Sequence, residues 1–284
     1  MTKTAKPSSA SAPANGNGFS LVSRKTLLAL YDAMLRARIL DEHLLGMARQ
    51  KGLCARYASA RGQEAAVAAV VIALGPRGVL APSRHCLVPS LIQTRSSRGN
   101  PLHTGQFTRA RLSAPSLPFQ AALRLALEQA REQRSRVTAF FCSAHELSRP
   151  SARALFHQAG AERLPLLLVA HGSRPAAETM AAVRPSDTDF PAIAVDSHDA
   201  VGVFRVACEA IAHARRGSGP TLIQCVPSPF AQMEGRRSCP LKNMERYLAG
   251  RNLIPDGWAA KLTRRYSRNL EAALAATACR DSTR

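Results

Sequence analysis

Beyond residue 118 the chain alternates short, continuous apolar runs with helical segments, and no other feature narrows the fold as far. The runs are residues 137–141 (VTAFF), 166–170 (LLLVA), 192–195 (AIAV) and 222–226 (LIQCV). They are apolar at nearly every position rather than at alternate ones, so both faces of each strand are buried. Helical segments are expected at residues 119–131, 152–161 and 200–215, the last capped by Asp199. This order predicts an α/β fold, a mostly parallel sheet with helices on both faces. In such sheets ligands bind beyond the carboxyl ends of the strands. Cys142, His145, His171 and His198 all follow predicted strands there.

The first half of the chain supports the same core. Ser23 is placed to cap a helix in which Leu27, Tyr31, Met34, Leu35 and Ile39 recur at helical spacing, ending near Met47. A second helix, residues 64–74, is rich in Ala and Val and stops at Gly75 and Pro76. A short strand follows at residues 79–81, and residues 94–117, with no clear period, read as a long loop. Two helices close the chain, at residues 241–249 and 257–276. In the second, Trp258, Leu262, Tyr266 and Leu270 form a packing stripe rather than a site. Residues 1–18, made of Ser, Ala, Pro, Gly, Asn, Thr and two Lys after Met1, read as a disordered basic tail, leaving one domain over residues 19–284.

Composition sets limits. The formal charge is +20, from 39 Lys and Arg against 19 Asp and Glu. The basic residues are dispersed, the densest groups being pairs such as Arg215 and Arg216, and no aromatic stripe accompanies them. Nucleic acid is therefore not the expected partner. The longest apolar runs fall far short of the ~20 residues of a membrane helix, and no apolar segment follows the N-terminus, so a cytoplasmic chain with no membrane partner is expected. Seven scattered Cys without a CxxC pair fit free thiols in a reducing compartment.

Several segments carry a family resemblance. The first helix, residues 27–52, comes first. Gly62, Gln63, Glu64 and Ala65 match a GQEA motif. Leu164 and Pro165 precede an apolar strand, and Val195, Asp196, Ser197, His198 and Asp199 resemble a VDGND turn. Gly219, Pro220, Thr221, Leu222 and Ile223 match a GPTLI strand opening. In this order the segments resemble the alpha subunit of the thiamine-diphosphate-dependent component of 2-oxo acid dehydrogenase complexes, of pyruvate or branched-chain type. The resemblance covers roughly residues 22–276. It implies the thiamine-diphosphate-binding fold and a beta-type partner subunit. It also implies a diphosphate held through Mg²⁺ by a Gly-Asp-Gly segment after one strand and an Asn-Asn pair after the next.

At those positions the sequence departs from the pattern. Ser143 stands where the Asp is expected, and Gly172 and Ser173 replace the two Asn. A hydroxyl brings no charge to Mg²⁺, and glycine brings no side-chain oxygen. Of the family's Tyr-Arg-Asp-His, only Arg84 of Ser83, Arg84, His85 and Cys86 matches, and it is the one residue expected to contact cofactor phosphate. No His follows residue 213, where the family carries a His-rich loop. Charge-assisted contacts are worth about 1.5–3 kcal/mol each, so losing several together removes many decades of affinity.

The expectation is a 2-oxo acid dehydrogenase alpha-like protein without the cofactor and Mg²⁺ motif, acting as a non-catalytic structural or regulatory subunit. It would pair with itself or with a beta-type subunit. No catalytic or metal residue is assigned. An active thiamine-diphosphate-dependent subunit is the first alternative, and a basic polyanion-binding protein on the same fold the second. Two smaller readings remain: a soft-metal site formed by Cys142, His145, His171 and His198, and a Cys142 nucleophile with His145 as base and Glu146 as orienting carboxylate. Salt-dependent retention on DNA supports the polyanion reading, and its absence at low salt removes it.

Overall fold

The computed structural model describes residues 22–50, 59–81, 136–147, 149–171, 188–227 and 239–281, with a few isolated positions between 85 and 128. The predicted tail, the loop at 94–117 and most of the helix at 119–131 lie outside these residues, as do Arg84, Gly172 and Ser173.

Helix α1 (Arg24–Gln50) and helix α2 (Glu64–Leu74) come first, then strand β1 (Val79–Leu80). Strand β2 (Thr138–Ser143), a single turn α3 (Ala144–Leu147) and helix α4 (Pro150–Ala161) follow. Then come β3 (Leu166–His171), β4 (Ala192–Asp196), α5 (Ala200–Arg215), β5 (Thr221–Val226), α6 (Pro240–Ala249) and α7 (Trp258–Asp281). The strands form one five-stranded sheet in the order β1-β2-β3-β5-β4, every neighbouring pair parallel. The predicted strands and helices in the described regions are all present, with ends shifted by a few residues. Helix α3 was not anticipated, since four residues carry no period.

Strands β2, β3 and β5 are buried on both faces because alternate residues feed two apolar layers. Strand β4, expected from its apolar run to be buried likewise, is an edge strand that leaves Ile193 and Ala194 exposed. Val137, Ala139, Phe141, Leu167, Val169, Ile223 and Cys225 pack with α1, α2, α5, α6 and α7. Phe140, Cys142, Leu166, Leu168, Ala170 and Leu222 face the other way, against Phe156 and Ala159 of α4. Leu262, Tyr266 and Leu270 are buried, so the stripe on α7 is a packing stripe. Trp258 sets its ring 5.2 Å from that of Tyr31.

The GQEA segment does more than start a helix. Glu64 is fully buried, and its Oε1 accepts a hydrogen bond from Arg38 Nε at 2.5 Å and another from the Gly62 backbone at 3.0 Å. Gly62 takes φ +82, a left-handed conformation that a side chain resists. Asp41, also buried, accepts from Ser59 Oγ and from the Ala60 backbone, each at 2.7 Å. Two carboxylates thus fasten the turn before α2 to α1. At the far end of the sheet the Asp199 side chain accepts from the backbone N–H groups of Val201 and Gly202 at 3.0 and 2.9 Å, the N-cap that the sequence predicts for α5.

Removing Arg38 would leave the Glu64 charge buried and unpaired. Arg38→Met is expected to lower the unfolding free energy by about 3–5 kcal/mol. Arg36→Ala, which removes the partly exposed pair with Asp32 one turn away and a contact over the Tyr266 ring, should cost no more than about 1–2 kcal/mol. Urea unfolding of both variants checks the difference.

Candidate functional site

The register of the parallel strands brings several polar residues to one edge. Ser143, the last residue of β2, lies directly beside His171, the last residue of β3. His85, a few residues past β1, reaches the same place. Three neighbouring strands therefore deliver their following residues to the carboxyl edge, the position where ligands bind in sheets of this kind.

Ser143 and Glu146 bond to each other reciprocally. The Glu146 backbone N–H donates to Ser143 Oγ at 3.2 Å, and the Ser143 backbone N–H donates to Glu146 Oε2 at 2.8 Å. This is a capping box, and it creates α3 by satisfying two backbone donors at its start. The same Glu146 oxygen lies 3.2 Å from His85 Nε2. Burial works to raise the Glu146 pKa. The hydrogen bond from His85, the backbone bond from Ser143 and the His85 charge outweigh it and hold the carboxyl at about 2. Glu146 is thus ionised at neutral pH.

The His85 ring also meets the His171 ring edge to face, with centroids 4.5 Å apart. His171 is 6% exposed. Burial, and after it the charge of His85, push its pKa down to about 3, so it is neutral. Its Nε2 is buried without a hydrogen-bond partner.

The edge does not bring together the residues weighed as a soft-metal site. Cys142 is fully buried and donates through its thiol to the Val169 carbonyl, whereas His145 is exposed. Among the described residues no group of three or more His, Cys, Asp or Glu is arranged to hold a metal ion. The same burial removes Cys142 as a nucleophile. Glu146 orients His85, not His145. His85 stands out only in three dimensions, because its partner is far away in sequence. The Ser-x-x-Glu spacing of the capping box, by contrast, is written in the sequence.

These side chains do not fit a Mg²⁺-bound diphosphate. Mg²⁺ requires octahedral oxygen ligands, usually including carboxylates. The Ser143 hydroxyl is uncharged and caps a helix, and the Glu146 carboxylate is committed to a backbone N–H and to His85.

No protein-family model matches the chain. The chain is similar to 3-methyl-2-oxobutanoate dehydrogenase subunit alpha of Mycobacterium tuberculosis, strains CDC 1551 / Oshkosh and ATCC 25618 / H37Rv. In each case it is 29% identical over 227 residues, covering 71% of this chain and 60% of the relative. It therefore spans about 60% of the length of the curated relatives it matches. Among the described residues no helix is long and apolar enough to cross a membrane.

The two shifted groups make stability acid-sensitive. His171 titrates at 6.5 when unperturbed and at about 3 in the fold. Between those values the unfolded chain binds a proton that the folded chain does not, so stability falls as pH drops through that window. Glu146 acts in the same direction lower down: its contribution is complete above 4.5 and is lost as pH falls toward about 2. His171→Phe should flatten the upper part of this acid limb, measured as urea midpoint against pH. An unchanged slope would show that His171 is not buried in the neutral form.

Proposed function

The chain is a distant, alpha-subunit-like relative of the 2-oxo acid dehydrogenases, and we propose that it is a non-catalytic structural or regulatory subunit that does not bind thiamine diphosphate and Mg²⁺. One observation carries this reading. At the carboxyl edge, where the resemblance places the metal carboxylate, Ser143 caps α3, and the carboxylate of Glu146 is held by Ser143 and His85. The substitution of Gly172 and Ser173 for the expected Asn pair points the same way.

What remains intact is architectural. The α1–α2 junction with its two buried carboxylates, the parallel sheet and the Asp199 cap support a rigid single domain over residues 19–284. Such a domain would associate with a second copy or with a beta-type subunit in the cytoplasm, and an intact alpha-type chain would be needed for any 2-oxo acid chemistry.

Calorimetric titration tests the proposal. The purified chain, alone and mixed with a beta-type subunit, should give no saturable heat with thiamine diphosphate and Mg²⁺ at micromolar concentrations. Micromolar binding in either sample would overturn the non-catalytic reading and support an active subunit with unusual ligands.

A further inference from the structure

Strand β4 closes one side of the sheet. It pairs with β5, and among the described residues no strand lies beyond it. Two backbone hydrogen bonds fix how it faces. The Leu222 N–H donates to the Pro191 carbonyl and the Ser197 N–H to the Val226 carbonyl, each at 2.9 Å. Along a strand, successive residues turn their backbone groups to opposite sides of the ladder. Residues 191, 193, 195 and 197 therefore turn theirs toward β5, and Ala192 and Ala194 present both N–H and C=O on the open side. The register with β5 is continuous from Ala192 to Asp196, so no bulge twists this edge away.

Edge strands are blunted by Lys, Pro or an inward-pointing charge. Residues 192–195 (AIAV) carry none of these. Ile193 is instead 37% exposed, the one exposed large apolar side chain among the described residues, and Ala194 beside it is exposed too. An open edge with an apolar centre accepts a further strand.

A second copy of the chain complements this edge. Two β4 strands related by a two-fold axis run antiparallel, and with the axis at Ile193 their open groups match. Ala192 of each copy then exchanges both N–H···O=C bonds with Ala194 of the other. Ile193 lies opposite its own counterpart in a non-hydrogen-bonded pair, the arrangement that brings side chains closest. The charges are compatible, although each chain carries +20. Residues 190–195 are uncharged, and the same register sets Asp196 opposite Phe190 and Asp189 opposite Ser197. No two like charges on these residues face each other across the axis.

We propose that the open edge of β4 is a homodimer interface, in which two copies join their sheets antiparallel about a two-fold axis at Ile193. Such an interface is isologous, the same strand serving on both sides. It gives a surface to the self-association proposed above. It does not involve the residues at the carboxyl edge, so it is independent of whether the chain binds thiamine diphosphate.

Sedimentation equilibrium of the full chain over a range of concentrations, combined with thiol cross-linking, tests the interface. The unsubstituted chain should sediment as a reversible dimer. Ile193→Glu, which sets two carboxylates face to face, should sediment as a single chain with an unchanged circular dichroism spectrum. Added salt should raise the dimer fraction, because the net charges repel and no ion pair holds the interface. Mild oxidation should link Ile193→Cys into a covalent dimer, since directly opposed Cα atoms lie about 4.5 Å apart. Ala194→Cys should stay at the background of the native thiols, because its counterpart is a diagonal neighbour about 7–8 Å away, beyond disulfide reach. A chain that sediments singly at every concentration, a dimer that survives in Ile193→Glu, or one that dissociates as salt rises would each overturn the interface. Linkage through Ala194→Cys and not Ile193→Cys would overturn the register. The cross-linking result stands even if Ile193→Glu fails to fold. None of these outcomes bears on cofactor binding, so a monomer would leave the non-catalytic reading in place.

Discussion

A single oxygen, Glu146 Oε2, receives a backbone N–H from Ser143 and faces His85 Nε2. That shared acceptor organises the carboxyl edge of the sheet. It starts the turn after β2, brings His85 to that turn, and places an imidazole against His171. The Glu146 charge is thereby held by its own neighbours.

The remainder of the fold is built to keep that edge in place. Buried Glu64 with Arg38, and buried Asp41 with the turn at residues 59–60, lock α2 to α1. Helix α2 in turn packs with α5 on one face of the sheet. Ion pairs of this kind add little net stability over a well-packed apolar pair, but breaking one is costly. They define one arrangement of the helices. This explains how the segments resembling 2-oxo acid dehydrogenase alpha subunits stay in order while the ligand positions differ.

The fold was legible because its signals are local. Runs such as residues 166–170 are apolar on both faces, and Asp199 sits at the start of α5 as a side-chain cap. The site was legible mainly by what it lacks, since Ser143 and Gly172 differ from a family pattern. The contacts at the carboxyl edge were harder to see. His85 meets Glu146 across more than fifty residues, and nothing in either local sequence announces the contact. Glu64 could be read only as a charge favouring the positive end of its helix, because its partner Arg38 lies on another helix, 26 residues away. The capping box between Ser143 and Glu146 is the exception, since its Ser-x-x-Glu spacing is a local signal, although the sequence reading gave Glu146 only the role of orienting His145.

The central claim is that side chains of the chain itself, and not a cofactor, complete the carboxyl edge of the sheet. A ligand that binds the folded chain raises its melting temperature in proportion to the logarithm of its concentration above Kd. Thermal unfolding in increasing thiamine diphosphate with saturating Mg²⁺ therefore reads the claim directly. The account predicts a melting temperature that does not change across the titration. A progressive rise with cofactor concentration, absent when Mg²⁺ is withheld, would contradict it.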